Sequence, residues 1–126
     1  MVLDELAGYL ADQSLGTLGT NLFLGRLPAA PDAAIALRQS GGLPPLESFN
    51  SRVEAPRVQV LIRETSYAAC RFWAERLFQS FENIANTPLS GVQYLKCESD
   101  TSPAFLEQDN NGRYIFVLNL EVWKEF

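Results

Sequence analysis

"RYIFVLNLEVW", residues 113–123, is the stretch on which the fold turns. Successive side chains of a strand point to opposite faces. Tyr114, Phe116, Leu118, Leu120 and Val122 therefore share one face. Ile115, Val117 and Trp123 make much of the other face apolar too. A strand that is apolar on both faces lies centrally in a sheet or is covered by another molecule. Asn110-Asn111-Gly112, just ahead of it, is a strong turn signal.

A central strand needs a layer to pack against, and residues 67–85 supply one. Tyr67, Cys70, Trp73, Ala74, Leu77, Phe78, Phe81 and Ile84 form one apolar stripe at helical spacing. Arg71, Glu75, Arg76, Glu82 and Asn83 lie largely off it, and Ser66 or Thr65 can cap its start. Before this helix, "RVQVLIRE" (57–64) alternates Val58, Val60 and Ile62 with Arg57, Gln59 and Arg63, although Leu61 joins the polar face, as a half-buried strand does. "TNLFLGRL" (20–27), "DAAIALRQ" (32–39, with Ile35 and Leu37 on one face) and "VQYLKCES" (92–99) read as further strands. Leu3, Leu6, Ala7 and Leu10 place a helix at the N-terminus, with Asp4 and Glu5 in its first turn, where they suit the helix dipole. Pro88 and Gly91 read as a connector. The expected fold is α/β (α+β), one domain over residues 1–126. It has a mixed, mainly antiparallel sheet, one long helix packed on a face and an N-terminal helix.

Composition narrows the chemistry. The chain of 126 residues is 47% hydrophobic and 20% charged, a globular profile, with a net charge of −5. That charge opposes general nucleic-acid binding, which calls for a basic excess. Histidine is absent, so the commonest general base and metal ligand is missing. Cys70 and Cys97 make no CxxC pair or zinc pattern and read as buried free thiols. "GTLGTN" and "SGGLPP" lack the lysine of a phosphate-binding loop. Glu107, Asp109 and Asn111 space oxygen atoms as a calcium loop does. Position 12 of a loop begun at Glu107, however, is Leu118, where a bidentate Glu is required. No catalytic, cofactor-binding or metal-binding residue is assigned, and the expectation is a protein that is not an enzyme. The N-terminus has no basic signal-peptide region and no apolar run reaches the length of a membrane span, so a soluble, intracellular chain is expected.

What remains is surface. "SGGLPPLESFNSRVEAP" (40–56) holds Gly41-Gly42 and Pro44-Pro45. These are expected to prevent a regular hairpin between the flanking strands. The segment reads as a loop projecting from the body to contact another subunit or another protein. Leu43, Leu46, Phe49 and Arg52 are its candidate interface residues. Residues 100–113 come second, with Phe105 and Leu106 as apolar anchors, and the C-terminal Trp123 and Phe126 third. Packing of Phe49, Phe105, Leu106, Trp123 and Phe126 onto their own core is the alternative.

The order of these motifs resembles a known family. "LAGYLADQSLGTLGTNLFLGRLPAAPDAAIALRQSGGLPP", then "PRVQVLIRETSY" before a helix, then "SPAFLEQDNNGRYIFVLNLEV" are similar to the tail terminator or minor capsid proteins of long-tailed bacteriophages, those like the lambda tail terminator. The resemblance covers residues 3–125. It implies a structural virion protein, without cofactors, that forms a homohexameric ring. Such a ring caps the head-proximal end of the tail tube, stops its growth and offers a docking surface to the neck. The projecting loop, residues 40–56, is then expected to contact another subunit or the tube. The implied partners are other copies of the chain, the tail tube protein, a neck or head-completion (stopper or connector) protein, and the sheath where a tail is contractile. DNA only passes through the lumen, and no membrane is involved. The implied location is the tail or neck of the virion, after assembly in the host cytoplasm. A head–tail connector of the neck or minor capsid is the alternative. A small-ligand-binding protein or enzyme is the reading from a different class.

Overall fold

Leu6 and Leu10 of the first helix and Cys70, Ala74, Leu77 and Phe81 of the second point the same way, onto one face of a sheet. The computed structural model describes residues 2–47, 52–99 and 102–125, with the backbone alone at 42–47 and 52. Its elements are α1 (Val2–Asp12), β1 (Leu22–Leu24), β2 (Ala34–Glu47), β3 (Arg52–Glu64), α2 (Tyr67–Glu82), β4 (Ala85–Leu89), β5 (Val92–Ser99), β6 (Ala104–Gln108) and β7 (Tyr114–Glu125). The strand order is β1-β2-β3-β7-β5-β4. β6 pairs with β7 as well, along Tyr114 to Val117, while β5 takes Leu120 to Lys124. Only β1 and β2 run parallel. The fold is α+β, as the sequence indicates.

β7 is the central strand. Phe116, Leu118, Leu120 and Val122 bury beneath the helices with Ile35, Leu37, Val58, Val60 and Ile62. Each such side chain contributes about 1.5–3 kcal/mol of burial. Ile115 and Val117 meet Ala36 and Leu61 on the other face, and Leu27 packs against that smaller cluster. The second apolar face of β7 is thus covered from within the chain at its first half. Ser66 is the helix cap: its Oγ accepts from the Ala69 amide at 3.2 Å.

Residues 40–56 differ from the loop expected of them. β2 and β3 stay paired out to Glu47 and Arg52. Two register shifts, at Gln39/Gly41 and Leu43/Leu46, absorb the glycines and prolines, and Gly41 takes a φ of 119° that favours glycine. Prolines 44 and 45 are tolerated because no strand lies outside β2 beyond Leu37 among the described residues. On the inner side, β3 pairs with β7 at Val53↔Glu125 and Glu54↔Lys124, and Ala55 is buried. Residues 53–56 therefore belong to the sheet. Two short strands, β4 and β6, stand where a connector and irregular chain were read. The segment 20–27 contributes only three residues of strand, and α2 ends at Glu82.

Candidate interaction surfaces

β6 is exposed at all five positions. It stands on a turn built by Asp109, whose Oδ1 accepts from the Asn111 and Arg113 amides, both at 2.9 Å. Gly112, with φ 76°, completes the turn. Burial pushes the Asp109 carboxyl up, but these amides and the Arg113 guanidinium outweigh it and hold it below its ordinary value. Its oxygens are thus committed to the turn. Phe105 lies opposite Phe116, and the register shift that follows leaves Leu106 as the extra residue. Tyr67, at the start of α2, packs on both rings, with centroids 5.8 Å from Phe105 and 5.2 Å from Phe116. Phe105 and Leu106 nevertheless remain 46% and 50% exposed.

The opposite edge of the sheet carries β1. Leu18, 54% exposed, bridges to Leu22, and residues 18–29 surround an open hollow of about 710 Å³ with Leu18, Leu24, Leu27 and Arg26 in its lining. Two buried arginines pin the chain that leads on from it, residues 29–32. Arg63 donates from Nε to the Asp32 carbonyl at 3.0 Å and from Nη2 to the Pro31 carbonyl at 2.6 Å. Arg113 donates from Nη1 to the Ala29 carbonyl at 2.7 Å and pairs through Nε with Asp109 at 2.8 Å. Burial and the neighbouring Arg113 charge lower the Arg63 pKa.

The hairpin end of the sheet holds a third set. Trp123 is half-buried, with Lys96 Nζ 5.5 Å from its ring centroid. Lys124 turns inward. Its Nζ meets Glu5 Oε1 at 2.7 Å, and Tyr94 donates its O–H to the same oxygen at 2.6 Å. Burial raises the Glu5 carboxyl, but Lys124 and Tyr94 together bring it below its ordinary value. Burial, with Glu5 beside it, raises Tyr94. This cluster ties α1 to β5 and β7. Leu43 and Leu46 lie opposite Ala55 and Val53, and Arg52 opposite Glu47. Their side chains, and all of Phe49 and Phe126, lie outside the described residues. The sheet's outer face between these regions is polar: Arg38 donates to Gln59 and Gln59 to Asn119, and Arg57 pairs with Glu121.

The structure therefore divides the sequence-derived candidates. Phe105 and Leu106 sit together at one end of β7. Trp123 sits at the other, on the side of Leu43, Leu46 and Arg52. Seven residues of strand, roughly 23 Å, separate Phe116 from Trp123. The residues that sequence reasoning missed are the two pinning arginines and the Glu5–Lys124–Tyr94 cluster. Arg63 reads only as a polar position in an alternating strand, and nothing local distinguishes Lys124 from a surface lysine.

No three acidic or cysteine side chains converge as a metal site among the described residues, and no helix there is long and apolar enough to cross a membrane. The features that stand out are exposed edges, as in a structural protein that works through its surfaces. Residues 9–125 match the family model described as bacteriophage tail terminator protein, and the chain belongs to that family. It is thus a structural component of the phage tail, a role that involves other tail and head proteins. No curated protein matches the sequence.

Proposed function

We propose that the chain forms a hexameric ring on the head-proximal end of the tail tube, ends the tube's growth and presents the docking surface for the neck. The observation that carries this reading is the family match over residues 9–125. A closed ring needs two different patches on each subunit. The exposed β6 edge and the hollow beside β1 are two such patches, on opposite edges of one sheet. The net charge of −5 suits a channel through which DNA slides, since a basic wall would hold phosphates. The hairpin end, with Trp123 and the backbone of Leu43, Leu46 and Arg52, is the remaining surface for tube or neck.

Polymerising tail tube protein with and without this chain tests the reading. Tube ends should become blocked and fixed in length, and native mass spectrometry of the cap should give six copies. Tubes that continue to lengthen at saturating protein would overturn it. Pull-downs against tube protein and against head-completion protein separate a terminator from a connector further up the neck.

A further inference from the structure

One cross-strand row spans the molecule: Leu22 of β1 lies opposite Ile35, Ile35 opposite Ile62, Ile62 opposite Phe116, and Phe116 opposite Phe105 of β6. With strands about 4.8 Å apart, the row ends stand roughly 19 Å from each other on opposite edges. One end is apolar and open to solvent, with Phe105 and Leu106 on a strand exposed at every position. The other is the hollow beside β1, where Leu18 is exposed. Each end also carries a charge with no ion pair among the described residues: Glu107, next to Leu106 and on the Ile115 face of β6, and Arg26 in the hollow.

We infer that these two ends dock onto each other between copies of the chain, the Phe105–Leu106 knob of one copy seating in the Leu18–Arg26 hollow of the next, with Glu107 against Arg26. The inference rests on the ring reading for closure and names the surface that makes the ring. The occupant is a second copy because one chain carries both halves, each apolar and the two of opposite charge. A knob and a hollow at different places make a heterologous contact, which repeats head to tail. The contact is made by side chains, not by strand addition. Leu22 already donates its N–H to the Thr17 carbonyl at 3.1 Å and accepts from the Gly19 amide at 2.8 Å. Arg113 fixes the relation of the two halves, since it bonds Asp109 in the knob's turn and Ala29 in the hollow's wall. The angle between successive copies is then a property of the fold.

Cysteine cross-linking tests this, because Cys70 and Cys97 are buried. Leu106→Cys protein mixed with Leu18→Cys protein, treated with a short bismaleimide, should give a 1:1 dimer and nothing larger. Each alone should give none, and the double variant Leu18→Cys/Leu106→Cys should give a ladder. Arg26→Glu or Glu107→Arg should lower the yield about tenfold, and mixing the two reversals in one chain should restore it. Circular dichroism and melting confirm that each variant is folded. Cross-links between two Leu106→Cys chains, no product from the mixture at millimolar protein, or reversals that do not compensate would overturn the contact. A ladder without a closed ring supports the contact and removes the ring reading. A closed ring without the mixed cross-link removes the contact and leaves the ring reading intact.

Discussion

Lys124→Met removes one partner of the buried Glu5–Lys124 pair and leaves the Glu5 carboxylate facing a thioether chain. Both side chains are nearly enclosed, with accessibilities of 8% and 9%. Breaking a buried pair from one side costs about 3–5 kcal/mol. Glu5 keeps the Tyr94 hydroxyl, which places the loss at the low end, about 3 kcal/mol. In a domain of this size each kcal/mol moves Tm by about 3–5 °C, so the variant should melt about 9–15 °C lower. Removing both charges, in Glu5→Gln/Lys124→Met, should recover most of the loss, because the nearly enclosed carboxylate is gone and only Glu54, 3.7 Å from the lysine and partly exposed, loses its partner. The pH dependence gives a second check. In the parent, Glu5 ionises below its ordinary 4.5, so its contribution is present above that pH and fades as pH falls through the lower folded value. In Lys124→Met the lysine's hydrogen bond and charge are lost while the Tyr94 hydroxyl stays, so the carboxyl ionises at a higher pH than in the parent and the variant's deficit should shrink on acidification. Thermal melts at pH 5 and 7 read both effects. A double variant no more stable than Lys124→Met, or a deficit that widens on acidification, would refute the argument.

Arg63→Ala should cost about 1–3 kcal/mol by stranding the Pro31 and Asp32 carbonyls, and hydrogen exchange should speed up around residues 29–33. Arg63→Lys should recover little, since an ammonium lacks the fork that reaches both carbonyls. Ser66→Ala should lower stability by about 1 kcal/mol, seen in urea midpoints. Burial pushes Cys70 to about 11 and Cys97 to about 12, so neither should react with a thiol reagent at pH 8 until the protein is denatured. Fast native labelling of either would contradict their burial. Deleting residues 46–54 should destabilise the sheet as well as shorten the hairpin, because Val53 and Glu54 pair with β7; an unchanged Tm would contradict that pairing.

The parts of the fold that were legible in the sequence are those with a long period. The two-sided apolarity of β7 and the stripe of α2 each repeat over many residues, so local exceptions do not hide them. β6 had no such signal: "AFLEQ" is exposed throughout and alternates nothing. β4 was masked by Pro88, acceptable in a strand that pairs on one side, and by Asn86 with its φ of 49°, a left-handed conformation that asparagine tolerates. The hairpin from β2 to β3 was misread for a related reason. Glycine and proline oppose a strand flanked on both sides, and the sequence does not say that β2 has no outer neighbour beyond Leu37 among the described residues. Phe105 and Leu106 were found as surface candidates because they are apolar residues among polar ones. Their counterpart at Leu18 and Arg26 was not, since a hollow is made by chain folding back and leaves no pattern along it.

The outer side of β2 has a consequence for the time before assembly. On the proposed function the chain waits for a growing tube, and it has to stay dissolved while it carries sticky edges. Neighbouring N–H groups of a strand point to opposite sides, so Pro44-Pro45 subtracts donors from both. The register shifts on either side of them break the straight run that a stray strand would need to zip along. The residues that disguised the hairpin in the sequence thereby make its long edge a poor seed for precipitation. Association is left to surfaces where shape and charge must agree.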